Sequence, residues 1–340
     1  MEIYIFAYFI LLYNMLVLKS VKIVQIALLV IIAFVIGFRG IDIGTDTITY
    51  YDMYDSLGIN GYEGYPEPLY GLSCVFTNWL GLSFSWHQSL LCGFSFIFVY
   101  KASEKSENMG MSLFIILTLY FYCYTMNIYS QLIACYIWLY AFTFLSKSEK
   151  KDRIIFLLLV GLAMGFHLSA LFLLPLMFVE KLKLSNSVVY LGLIVSFVLG
   201  VIDLTGMLAS YLMDYARHLD RTVDTMRIIQ GIVLSFYWML AFIFLYNSSD
   251  ESLRNRMELK IFFIGVLIYN FFLTKDLATR FMLYFSIPLI LWFPSFCCSD
   301  SKKKFFRQLV LIVYTSVYYY TLLFLNSGDV APYNIMQEQY

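Results

Sequence analysis

Apolar runs of roughly 15 to 20 residues follow one another along almost the whole chain, separated by short turns rich in lysine, and few folds are open to such a sequence. In hydrocarbon a helix satisfies its own backbone hydrogen bonds, whereas loops and open sheet edges facing lipid leave theirs unmade. The pattern therefore predicts an all-α polytopic integral membrane protein embedded in a lipid bilayer. A mean hydropathy of +0.75 agrees, as does a content of only 14% charged residues against 61% hydrophobic ones.

Lysines and arginines concentrate on the cytoplasmic side of membrane proteins, and they set the topology here. Lys19 and Lys22 put the turn after the first run inside, so the stretch from Arg39 lies outside. Leu69–Leu82 is read as an external half-helix, because a crossing there would move Lys101 and Lys105 outside. Crossings are expected at Met1–Leu18, Ile23–Phe38, Trp86–Tyr100, Met111–Met126, Ile128–Leu145, Val188–Leu204, Ile228–Tyr246, Ile261–Thr274, Phe281–Phe296 and Leu309–Leu325. Between Lys151 and Lys181 the chain must turn back on itself, with arms Ile154–Phe166 and Leu168–Val179 and a tip at His167. Each arm has about a dozen residues where roughly twenty are needed to span, so the tip is expected below the outer surface. The expectation is one transmembrane helical domain over 1–340, with about 12 transmembrane helices, short interfacial half-helices, and external loops near 39–68 and 205–227. Within the second loop, Leu208, Tyr211, Leu212, Tyr215 and Leu219 recur at the spacing of a helix lying in the interface.

This topology leaves Arg39, Arg217, Arg221, Arg227, Lys275 and Arg280 outside and the rest of the 23 basic residues inside. All but one of the outer group are arginines, whose planar, permanently charged fork suits carboxylate or phosphate ligands. Arg39 opens a dense polar stretch, RGIDIGTDTITYYDMYD, with four aspartates and three tyrosines. Asp42, Asp46 and Tyr50 are four apart and share a helical face. Capping of an external helix by Asp46 or Thr45, with Arg39 reaching for lipid headgroups, is the simpler alternative.

Elsewhere, Arg280 stands at the outer start of a helix as a candidate phosphate or carboxylate ligand, unless Asp276 pairs with it. Arg217 and Arg221 share a face, with pairing to Asp214 or Asp224 as the alternative. His167 sits mid-hairpin, where either a catalytic role or a satisfied core histidine fits. Gln131 orients substrate or bridges helices. Six cysteines without C-x-x-C spacing and three dispersed histidines signal neither a disulfide framework nor a catalytic metal, and no cofactor is expected. A net charge of zero with no basic tract argues against nucleic acid.

FRGIDIGTDTITYYDMY resembles the signature of EpsG-like membrane proteins, a branch of the Wzy-type polymerases of bacterial surface polysaccharides. NIYSQLIACYIWLYAF, GFHLSALFLLPL, TRFMLYFSIPLI and APYN are similar to further family pieces, in the same order. Many relatives carry an arginine directly before the glutamine that aligns with Gln131, and this chain has Ser130. The resemblance implies a metal-independent glycosyltransferase of the bacterial inner membrane. At the external face it would transfer a glycan from one undecaprenyl-diphosphate carrier onto a second lipid-linked repeat unit, building O-antigen, capsule or exopolysaccharide, with a chain-length regulator as a possible partner. Arginines would then bind the diphosphate, Arg280 foremost with Arg39, Arg217 and Arg221, a carboxylate (Asp42 or Asp46) or His167 would act as base, and tyrosines such as Tyr50 would face sugars. A flippase of lipid-linked sugars and an O-antigen ligase-like transferase stay open, although the charges lie at the boundary rather than the bilayer midplane expected of a transporter.

Overall fold

The computed structural model describes residues 1–62, 65–145, 149–206, 225–275 and 277–336. Every regular element among them is helical; the one β contact is an isolated bridge between Arg39 and Ile335. The chain divides into two compact units, one of Met1–Leu174 with Phe293–Tyr340 and one of Pro175–Trp292.

In the first unit α1 (Glu2–Tyr13) passes through a π turn (Asn14–Leu18) before α2 (Lys22–Gly37). Buried Asn14 and Gln25 exchange amide hydrogen bonds of 2.9 and 2.8 Å across that turn, which satisfies two polar groups in apolar surroundings. Then come α3 (Thr47–Asn60), α4 (Pro68–Trp79), α5 (Phe84–Ser103), α6 (Met109–Thr118), α7 (Phe121–Thr125), α8 (Tyr129–Leu145) and α9 (Lys150–Phe166). All of α6 and α7 and most of α8 are buried. Around them pack α1, α5 and α9, with α2 against α5 and α4 against α3 and α9.

The single crossing expected at Met111–Met126 is thus two helices. Tyr120 breaks it with a left-handed backbone, φ 71°, a conformation costly for a bulky residue. Tertiary contacts hold it there: the ring meets the edge of Tyr124, and the hydroxyl donates to the carbonyls of Leu322 and Ser327 at 3.5 and 3.3 Å.

The hairpin arms lengthen relative to the sequence expectation. The second is a 3₁₀ helix, Leu168–Lys181, and it buries Ala170, Leu173, Leu176 and Val179. That period of three is the signature of three residues per turn. In the second unit α10 (Asn186–Val201), α11 (Thr225–Ser248) and α14 (Leu277–Ser286) pack on α13 (Met257–Phe271), which follows the short α12 (Glu251–Arg254). Asn270 ties three of these helices, accepting from Ser235 at 2.5 Å and donating to Ser196 at 3.0 Å. The chain ends with α15 (Leu289–Cys298), α16 (Lys304–Phe324) and an extended strap to Met336.

Among the described residues, Ile228–Ser248 alone is long and apolar enough to cross a membrane as one helix. Leu277–Ser286 and Leu289–Cys298 qualify only as a pair bent by 48°. About 12 regular spans is therefore more than the helices support by length, because apolar helices such as Lys22–Gly37, Met109–Thr118 and Asn186–Val201 run for only 10–17 residues. Their outward faces are nonetheless as greasy as their buried ones. On α2 Ile23, Ile26, Val30 and Phe34 are exposed, and on α10 Leu191, Ile194 and Val198; helices apolar all round belong in a large core or in lipid.

Candidate functional site

Arg39 is 1% exposed. Its Nη1 donates to Ile36 O at 2.5 Å, its Nε to Met126 O at 3.1 Å, and its Nη2 to Thr47 Oγ1 at 3.1 Å. Its guanidinium carbon lies 5.9 Å from the centre of the Tyr129 ring. Carbonyls at the end of a helix carry partial negative charge, so this cation is neutralised by backbone. Burial disfavours the charged form and lowers its pKa from the usual arginine value. Gly44 completes the knot: at φ +90° it passes so close to Met126 O that no side chain fits.

The strap closes the loop from outside. Gly40 N and Gly44 N donate to the carbonyls of Asn334 and Asp329 at 3.0 and 2.8 Å, and Met336 N donates to Phe38 O at 2.9 Å. Asn334 Nδ2 also donates to Asp42 Oδ2 at 2.8 Å, so exposed Asp42 anchors the strap. Asp46 occupies the N-cap position of α3 without a side-chain cap bond.

Residues 126–130 carry this order onward. Asn127 Oδ1 accepts from Thr45 Oγ1 at 2.6 Å and from Asp46 N at 3.0 Å. The Tyr129 ring lies edge-on to Tyr50 and Tyr70, with centroids 6.1 and 6.4 Å away. Ser130 N donates to the Tyr50 hydroxyl at 3.3 Å, and Ser130 Oγ lies 3.2 Å from that hydroxyl and 3.4 Å from His167 Nδ1. Burial first, and then the Glu67 and Asp46 carboxylates, push the Tyr50 hydroxyl up to about 12 against the Ser130 hydrogen bonds.

His167 terminates α9 in an extended conformation, φ −155° and ψ 117°, where the helix gives way to the 3₁₀ stretch. Its Nδ1 meets Glu67 Oε1 in a close hydrogen bond. Glu67 is fixed by its own sequence context: Pro68, at the first position of α4, favours an extended residue before it, and the helix N-terminus favours a carboxylate there. The two side chains stay 22% and 12% exposed. A carboxylate accepting Nδ1–H leaves the lone pair on Nε2, the tautomer of a general base.

The structure thus brings Arg39, Tyr50 and His167 into one connected region, with Asp46 beside Tyr50. Gln131, 2% exposed, lies one residue beyond Ser130. Arg280 is exposed on α14 of the second unit, where Lys275 pairs with Asp203 at 3.2 Å. Arg217 and Arg221, with the expected interfacial helix, lie outside the described residues, as does Asp276. Glu67 escaped the sequence reading: it sits 100 residues before its partner, and no spacing rule joins them. His87 is a core histidine, 0% exposed, with Thr77 Oγ1 at 2.8 Å from Nδ1.

The EpsG family matches residues 22–335. The chain belongs to the EpsG family. The motif resemblance from the Arg39 stretch to APYN is therefore one continuous family match, and the Arg39 knot, Glu67, Ser130 and His167 all fall within it. Curated proteins and solved structures yielded no match to this EpsG-family chain.

Proposed function

We propose that this EpsG-family chain is a membrane glycosyltransferase of polysaccharide biosynthesis, a polymerase that joins lipid-linked repeat units at the external face of the inner membrane. Family membership supports polysaccharide biosynthesis in general. The observation that carries the reaction is the Glu67–His167 pair. In the proposed step His167 Nε2 removes the proton of an acceptor sugar hydroxyl as its oxygen bonds to the donor's anomeric carbon. The bond from that carbon to the lipid diphosphate breaks, and its electron pair leaves with the diphosphate. Glu67 holds the ring and offsets the charge of the imidazolium.

Deleting the gene in its host is expected to abolish long-chain polysaccharide while single repeat units accumulate on the lipid carrier in the external leaflet. Repeats confined to the cytoplasmic leaflet would instead make the chain a flippase. The proposed topology has its own check. Thr47 is 0% exposed, so the informative cysteine is at exposed Thr49, expected to react with a membrane-impermeant maleimide in intact cells, while one at exposed Lys151 does not. The reverse labelling would turn the topology over.

A further inference from the structure

We infer that Tyr50, acting through Ser130, is a positioning residue that keeps His167 in the tautomer with its lone pair on Nε2; the inference rests on His167 being the base proposed above. Ser130 has one hydroxyl proton and two neighbours for it, Tyr50 OH at 3.2 Å and His167 Nδ1 at 3.4 Å. Pointed at Nδ1, that proton demands a lone pair there, which moves the ring hydrogen to Nε2 and removes the bond to Glu67. Pointed at Tyr50, it leaves only Ser130 lone pairs facing Nδ1–H, which can then bond to the Glu67 carboxylate.

The geometry favours the second state. The Glu67 carboxylate, which only accepts, needs the hydrogen on Nδ1, and Ser130 N donates to the Tyr50 oxygen at 3.3 Å, so of the two hydroxyls, 3.2 Å apart with either able to donate, the phenol is the acceptor left for the Ser130 proton. Edge contacts hold the Tyr50 ring in place, to Tyr70 with centroids 5.4 Å apart and to Tyr129 at 6.1 Å. Tyr50→Phe keeps both ring contacts and removes the acceptor, and the Ser130 hydroxyl then turns to the other acceptor beside it, Nδ1. In this arrangement Ser130 is harmful once Tyr50 has lost its hydroxyl, which gives the pair an unusual genetic signature.

The test measures initial rates of polymer formation in membranes of a gene-deleted host, supplied with that host's own lipid-linked repeat units and normalised to the chain present. Tyr50→Phe is expected to lower the rate by about tenfold, the worth of one hydrogen bond, and Ser130→Ala by a few-fold. Adding Ser130→Ala to Tyr50→Phe is expected to raise the rate back toward that of Ser130→Ala alone. Ring ¹⁵N shifts of His167 in detergent should show Nδ1–H in the parent and the double variant, and a population with Nε2–H in Tyr50→Phe. A double variant no faster than Tyr50→Phe, or ring shifts that do not respond, overturns the inference. His167→Ala separates the two levels: full activity there overturns the base as well, whereas an inactive His167→Ala beside an unrescued double variant overturns the tautomer role alone.

Discussion

Replacing His167 with alanine is expected to reduce polymer formation by about 10²- to 10⁴-fold, the usual contribution of a positioned general base. Glu67→Gln should come close to it. The amide keeps an acceptor oxygen but removes the charge that balances an imidazolium, and its NH₂ can donate to Nδ1 and so select the wrong tautomer. Neither variant should unfold the protein, since both side chains sit at helix ends and remain partly exposed. The measurement is the ladder of polysaccharide lengths in a gene-deleted host complemented with each variant, beside the amount of chain in the membrane. Normal ladders from both variants would remove His167 from the chemistry, and with it the proposed mechanism.

Arg39→Ala should fail for a different reason. The guanidinium serves Ile36 O, Met126 O and Thr47 Oγ1 with three different nitrogens; losing it leaves Met126 O with only the Thr47 hydroxyl, 2.9 Å away, and removes the side-chain donor to buried Ile36 O and Thr47 Oγ1. Leaving buried polar groups unsatisfied costs about 1–3 kcal/mol each, a drop of about 5–10 °C in the Tm of detergent-solubilised protein. Arg39→Lys should recover little, because one ammonium cannot reproduce a planar fork. The sequence reading makes Arg39 a substrate ligand, which predicts the opposite: an unchanged Tm with lost polymer. Thermal unfolding of Arg39→Ala therefore decides between the two roles.

Helix positions were largely legible in the sequence because apolar runs and basic turns are local signals. The expected Ile23–Phe38 and Ile128–Leu145 differ by a residue or so from Lys22–Gly37 and Tyr129–Leu145, and the half-helix at Leu69 is α4. His167 was visible as an ionisable group interrupting an apolar hairpin. Its carboxylate was not, because Glu67 reads locally as one more acidic residue among prolines, and only folding brings it across 100 positions. The partners of Arg39 were hidden for a related reason. An arginine at a membrane boundary suggests a ligand, and apart from Thr47 Oγ1 the acceptors around this one are main-chain carbonyls, which every sequence has and none displays. The strap from the far end of the chain, which closes that loop, is equally silent. The break at Tyr120 depends on carbonyls some 200 residues away, so the run around it reads as one helix.

The 3₁₀ stretch has a consequence for distance. At about 2.0 Å of rise per residue against about 1.5 Å for an α-helix, fourteen residues reach about 28 Å rather than about 21 Å. That is nearly the thickness of the hydrocarbon layer. Leu168–Lys181 is too short to span when its residues are counted and almost long enough when its axis is measured. In a chain that overwinds its helices, reach is set by pitch as well as by composition. Counting residues alone therefore understates how far this stretch carries the chain.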